Sequence, residues 1–152
     1  MVTTDDRPDL AAMFHVLARA LIEAEGPVLA ANDLTMWAYT VLTALATGPT
    51  RTQAALAQAV RADKTRIIPV LDDLQERGLI ERRPDPVDRR VRLLAITPAG
   101  RRAFARTRAG IRAGEERVLA LLPAADRRAF LRSLRELSTV DVLATARPRS
   151  TG

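Results

Sequence analysis

The sequence predicts a mainly α-helical protein that carries one small β-hairpin, and three observations predict it. Apolar residues recur at helical spacing both before and after a central stretch, residues 49–100. Inside that stretch two short helical patterns are separated by a tight turn. They are followed by two strand-like runs joined at a Pro- and Asp-rich tip, and the stretch closes on Thr97-Pro98-Ala99-Gly100.

The chain has 152 residues, of which 47% are hydrophobic and 28% charged, the composition of one globular domain. Its formal net charge is +6, carried almost wholly by arginine, since Lys64 is the only lysine. Such a surface attracts polyanions. With no cysteine there is no disulfide, thiolate metal site or thiol redox switch to consider. Residues 1–9 are acidic and polar, unlike a signal peptide, and no run reaches the roughly 18 apolar residues of a membrane span. A cytoplasmic location with no membrane association is the expectation.

The first helix is expected from Leu10 to about Ala24, with Met13, Phe14, Leu17, Leu21 and Ala24 on one stripe. Asp5, Asp6 and Asp9 stand at its positive end, and Gly26-Pro27 is expected to break or bend it. The single histidine, His15, has no second ligand at metal-binding spacing. A second helix is expected over residues 35–47, with Asn32 and Asp33 as caps. Its Trp37 and Tyr39, the only Trp and Tyr in the chain, suit either the core or the wall of a small-molecule pocket near Phe14 and His15.

Gly48-Pro49 ends that helix, Thr52 caps the next, Gln53 to Val60, and Arg61-Ala62 makes the turn. Asp63 then caps a helix over residues 64–77 that stops at Gly78. Ile67, Val70, Leu71 and Leu74 must face the core, which turns Thr65, Pro69, Asp72 and Glu76 outward. That outer face is uneven: Lys64 and Arg66 flank its start, whereas Asp72, Asp73 and Glu76 hold its far half. Phosphates would be repelled by the acidic half, so this helix is expected to meet a nucleic acid with its N-terminus, where the helix dipole also favours anions. Pro69 removes the hydrogen bond to the Thr65 carbonyl and is expected to bend the axis.

Residues 79–83 and 90–96 read as strands, apolar at the base, with Arg82, Arg83, Arg89, Arg90 and Arg92 around the tip 84–88. An arginine-tipped projection suits the narrow, electronegative minor groove. Thr97 and Pro98 are strong helix-start residues for a helix to about Leu122, with Phe104, Ile111 and Val118 on its apolar line, and Pro123 stops it. A last helix is expected over residues 125–137, before a frayed basic tail, residues 146–152.

These residues resemble the MarR family of bacterial winged-helix regulators along essentially the whole chain. The most specific part is Asp88-Arg89-Arg90 followed by Leu94-Ala95-Ile96-Thr97-Pro98-Ala99-Gly100, which is similar to the family's wing signature. Leu71-Asp72-x-Leu74 and Arg77-Gly78-Leu79-Ile80 also fit. The resemblance implies a single domain, residues 1–152, with a winged helix-turn-helix lobe over 34–96 and dimerisation helices over 8–30 and 97–145. It implies a homodimer on a pseudo-palindromic DNA operator, with Arg90 in the minor groove and Asp88 holding it. Three amphipathic terminal helices independently ask for a partner, since a lobe this small cannot cover them. The resemblance departs at Ile68 and Pro69, where relatives carry polar or basic residues, and base reading is thereby shifted to Lys64, Thr65 and Arg66, with Ile68 against a thymine methyl.

The DNA-facing set is therefore Thr52, Gln53, Lys64, Thr65, Arg66, Ile68, Arg83, Asp88, Arg89 and Arg90, and a ligand pocket is expected near Phe14, His15, Trp37 and Tyr39. The functional expectation is a transcription regulator, in this family most often a repressor relieved by a small aromatic or phenolic ligand, without cofactor or metal. The alternative is a helical protein-interaction dimer whose winged helix does not bind DNA. No nucleophile, phosphate loop or ligand cluster supports an enzyme.

Overall fold

The computed structural model describes residues 7–48 and 52–146; Asp5, Asp6, Pro49 and nearly all of the basic tail lie outside them. Its elements run in the order α1 (Leu10–Ala31), α2 (Met36–Thr47), α3 (Gln53–Ala59), α4 (Lys64–Glu76), β1 (Ile80–Pro84), β2 (Arg92–Ile96), α5 (Pro98–Leu119), α6 (Ala124–Thr139) and α7 (Val142–Ala146). They divide into two compact units, one up to Gly114 and one from Glu115 onward.

In the first unit, α1 does not stop near Ala24 but passes through Gly26 and Pro27 to Ala31. Proline forfeits one helical hydrogen bond, yet its φ is already helical, and a glycine before it has no Cβ to clash with the ring. The added turn buries Leu29 and lays Val28 against Gly110 of α5, where a Cβ would meet Val28 Cγ1 at 2.6 Å. Asp9 occupies the N-cap position of α1 without a side-chain bond. Asn32 and Asp33 close α1 instead of opening α2: the Asn32 amide donates to the Val28 carbonyl at 2.8 Å and Asp33 turns the chain at φ 53°. Thr35 is the cap of α2, its hydroxyl accepting from the Ala38 N–H at 3.1 Å.

The caps expected for the next two helices are in place. Thr52 Oγ1 accepts from Ala55 N–H at 3.2 Å, and Asp63 Oδ1 from Arg66 N–H at 2.8 Å. Between these helices Arg61 takes the left-handed conformation, φ 54°, and α4 leads through Gly78, φ 69°, into the hairpin. The strands pair antiparallel from Ile80 opposite Ile96 to Pro84 opposite Arg92.

The core is the inner face of this lobe. Val41 and Leu42 of α2, Leu56 of α3, and Ile67, Leu71 and Leu74 of α4 are fully enclosed, with Ile80 and Leu94 of the hairpin beside them. Val70 is only half-buried at its edge. A corner holds the base of the hairpin to α5: Thr97 Oγ1 donates to the Gly78 carbonyl at 2.6 Å and accepts from Gly100 N–H at 3.0 Å. The Thr97 N–H meanwhile donates to the Leu79 carbonyl at 3.1 Å. Gly100 lies so near the Leu79 oxygen that a Cβ would stand 2.0 Å from it. Thr97-Pro98-Ala99-Gly100 is thus a docking corner as well as a helix start.

In the second unit α6 extends one or two residues beyond expectation at each end, and none of its residues is buried. Its preceding helix, α5, closes at Leu119 and not Leu122, because Leu121 and Leu122 already fold into a turn with 3.1 Å bonds to Val118 and Leu119. Arg127 pairs with Glu116 at 3.2 Å. The short helix α7 was not foreseen; the Asp141 carboxylate caps it through Ala144 N–H at 2.9 Å.

Candidate nucleic-acid interface

Core packing decides what α4 offers to solvent. With Ile67, Leu71 and Leu74 enclosed, Lys64, Thr65, Arg66, Ile68 and Pro69 are left exposed on its N-terminal half. The helix remains continuous across Pro69. Asp63 organises its first turn, accepting from the Thr65 hydroxyl at 2.6 Å and from Arg66 N–H. Those bonds, the Thr65 hydroxyl first, hold its carboxyl below the ordinary value of 3.8. Thr52 and Gln53 are half-buried at the start of α3, and the Thr52 hydroxyl is engaged in the cap.

Two of the three acids in the far half of α4 are held in ion pairs. Asp72 meets the Arg82 guanidinium at 3.1 Å, and Arg82 also donates to Gln75 Oε1. Asp73 pairs with Arg77 at 3.2 Å. Arg82 therefore braces β1 against α4 and is not available as a free cation of the tip. Sequence spacing gave no sign of this, because the bridge joins residues on two elements whose relative placement only the fold decides. Asp72 and Asp73 are each half of an exposed ion pair.

The hairpin tip is built by its own acids. Asp85 Oδ1 accepts from Val87 N–H at 2.7 Å, and Asp88 Oδ1 from Arg90 N–H at 3.0 Å. Asp88 also holds the Arg90 guanidinium at 3.2 Å, while the Arg90 side chain stays 92% exposed. The expected pairing of Asp88 with Arg90 is present, and it aims the arginine outward. Arg89 is exposed beside it, and Arg83 lies along the strand against Glu81.

The four residues expected at a ligand pocket lie on α1 and α2. Tyr39 lines a groove of about 440 Å³ with Glu25 of α1, Thr40 and Thr43 of α2, and Arg61 of the turn. Its ring also stacks on Phe104, with centroids 5.9 Å apart. His15 lines a separate shallow depression on α1 with Arg19 and Ile22, and Phe14 is exposed on the same helix. Trp37 belongs neither to the core nor to the half-buried side chains packed on it. It lies instead under Arg66, whose Cζ is 5.6 Å from the ring centroid. Arg61 makes the expected turn with a left-handed backbone and also lines the groove.

No group of three or more His, Cys, Asp or Glu able to hold a metal occurs among the described residues. No helix among them is long and apolar enough to cross a membrane.

Residues 32–91 match the model of the MarR family. Over 130 residues the chain is 33% identical to a Thauera aromatica protein assigned to transcriptional regulation of the hcr operon, covering 86% of this chain and 74% of that one. The MarR family protein Rv2887 of Mycobacterium tuberculosis, solved with DNA, superposes with a TM-score of 0.76 at 26% identity, over 88% of this chain and all of the other (100%). The transcriptional repressor CouR, solved on a 23-mer DNA duplex, does so with a TM-score of 0.72 at 28% identity, over 86% and 92% of the two chains. CouR from Rhodococcus jostii has also been solved with p-coumaroyl-CoA, and Rv2887 with p-aminosalicylic acid. Helix-turn-helix, arginine-tipped hairpin and the likeness to these regulators agree: the chain belongs to the MarR family of winged-helix transcriptional regulators.

Proposed function

We propose that the protein is a homodimeric, sequence-specific DNA-binding regulator, a repressor released from its operator by a small aromatic or phenolic anion. The observation that carries this reading is the joint exposure, on one packed lobe, of the Lys64, Thr65, Arg66 and Ile68 end of α4 and of Arg90 at the hairpin tip. A helix N-terminus fits the major groove, and an exposed arginine beside it fits the adjoining minor groove. In this reading Thr52, Gln53, Arg83 and Arg89 contact phosphates, which orients the protein without reading sequence. The DNA complexes of Rv2887 and CouR support the same reading.

Dimerisation is supported by apolar side chains that each unit leaves in water. Val16 and Ile22 of α1 are 70% and 57% exposed in the first unit, and Leu121 and Leu143 are 83% and 65% exposed in the second. Helices so oily on an open face need a partner, and a two-fold dimer would present two lobes to half-sites roughly 34–36 Å apart. For the effector, Tyr39 supplies an aromatic wall and Arg61 a cation in one groove. To relieve repression the ligand must bind the DNA-incompetent state more tightly than the competent one, since equal affinity shifts nothing.

The test is a titration of the full chain against duplexes from the promoter regions beside its own gene, repeated over a salt series. Counterion release predicts a log–log slope of about −0.9 for each phosphate neutralised. A flat response would sink the DNA-binding reading. In that event a helical protein-interaction dimer becomes the better account, and sedimentation of the chain alone decides whether the dimer survives.

A further inference from the structure

Arg66 and Trp37 come from different helices, and nothing in their sequence separation brings them together. The fold does: the guanidinium carbon of Arg66 lies over the indole of Trp37 at 5.6 Å. Trp37 has been left outside the core, although its neighbours Ala38, Val41 and Leu42 on α2 are all buried. Its ring is half-buried and directed to the first turn of α4. The backbone of Arg66 is fixed as well, by the bond from its N–H to Asp63 at 2.8 Å. The Asp63 carboxylate is meanwhile occupied by that N–H and by the Thr65 hydroxyl at 2.6 Å.

An aromatic face attracts a guanidinium through its π cloud, whereas all five N–H donors lie in the guanidinium plane. Stacking therefore restrains the side chain without consuming a donor. Restraint matters here because arginine is rich in rotamers, and a flexible one loses more freedom when it must meet a base edge at fixed geometry. A phosphate contact is less demanding, since a loosely held cation still finds one.

We propose that Trp37 is a positioning residue for sequence recognition: it presents Arg66 so that two in-plane N–H groups meet the O6 and N7 of a guanine in the major groove. This rests on the reading of α4 as the DNA-facing helix and adds that specificity, more than affinity, depends on a residue that does not itself touch DNA. Loss of the ring leaves Arg66 charged and able to find phosphate, but no longer aimed.

The experiment uses the full chain, a duplex that the wild-type protein selects from a random-sequence pool, and a random-sequence duplex of equal length. Trp37→Leu is expected to weaken binding to the selected duplex by ~2- to 5-fold, with non-specific binding and the salt slope unchanged. Trp37→Phe restores most of that loss. In an Arg66→Ala background Trp37→Leu costs nothing further, because the interaction it removes is already gone. The single tryptophan gives a direct readout, and its emission in the free protein shifts when Arg66 is replaced by alanine.

Equal losses on both duplexes, or a full additional loss in the Arg66→Ala background, would make Trp37 a packing residue and overturn the inference. So would an emission spectrum indifferent to Arg66. If Trp37→Leu fails to fold, Trp37→Phe and the emission shift decide. Selection that enriches no duplex removes the DNA-binding reading itself and this inference with it. Arg66→Ala weakening the selected complex while Trp37→Leu leaves it untouched removes the inference alone.

Discussion

The base and the tip of the hairpin are separated by only a few residues and obey opposite rules. At the base, Ile80, Leu94 and Ile96 are enclosed, and Thr97 and Gly100 lock the strand ends to α5 through backbone contacts. At the tip, the order comes from two aspartates bonded to local N–H groups, and the Arg90 side chain is almost wholly in water. Helix α4 repeats the division around its axis, since Leu71 and Leu74 are sealed while Thr65, Arg66 and Ile68 face out. Stability and recognition are thus assigned to different residues of the same elements. The division is open to attack from either side.

The largest effect belongs to the base. Gly100→Ala places a methyl 2.0 Å from the Leu79 oxygen and 2.8 Å from Ile96 Cγ1, and the first of these is backbone that cannot swing aside. Alanine's better helix propensity returns ~1 kcal/mol at most, while forcing atoms into a filled site costs ~1–3 kcal/mol or more. The expected outcome is a net loss of about 2 kcal/mol and a midpoint lower by roughly 4–8 °C in thermal unfolding. DNA affinity of the fraction that remains folded should be unchanged. An unaltered midpoint would mean that the corner is not tight.

At the tip the pattern inverts. Arg90→Ala removes an exposed side chain whose ion pair with Asp88 is worth at most a few tenths of a kcal/mol, so unfolding should be unaffected. Binding to the operator duplex is expected to weaken by about 1–3 kcal/mol, roughly 5- to 150-fold, as for loss of one groove contact. Isothermal titration beside a melting curve separates the two effects. A fall in melting temperature with intact binding would reverse the assignment.

Most of this division was legible in the chain. Helical spacing selected Ile67, Leu71 and Leu74 for the core, and Thr52, Asp63 and Thr97 announced their helices because a cap is a local event between near neighbours. The pairing of Asp88 with Arg90 is local too. What stayed hidden was decided by packing between elements: α1 running through Pro27 to seat Val28 on Gly110, Arg82 reaching Asp72, and Trp37 leaving the core to lie under Arg66. The short helix α7 was missed for another reason, since five residues carry too little periodicity to register.

The smallest expected effect lies where the two rules meet, at Asp63, which caps a helix packed on the core and also sets the first turn of the exposed face. Its carboxyl is held below the ordinary value of 3.8 by the Thr65 hydroxyl first and the Arg66 N–H second. A lowered folded value means that the carboxylate stabilises the fold above the unfolded pKa and that this contribution is lost as pH falls through the folded one. Asparagine caps nearly as well but does not titrate in this range. Asp63→Asn should therefore unfold at almost the wild-type urea concentration at pH 7, yet lose less stability than wild type as pH falls below the ordinary carboxylate value of 3.8 and the cap of the native protein becomes protonated. Parallel acid-induced losses in the two proteins would show that the cap contributes no pH dependence, and that the first turn of α4 is held by the core beneath it and not by its own aspartate.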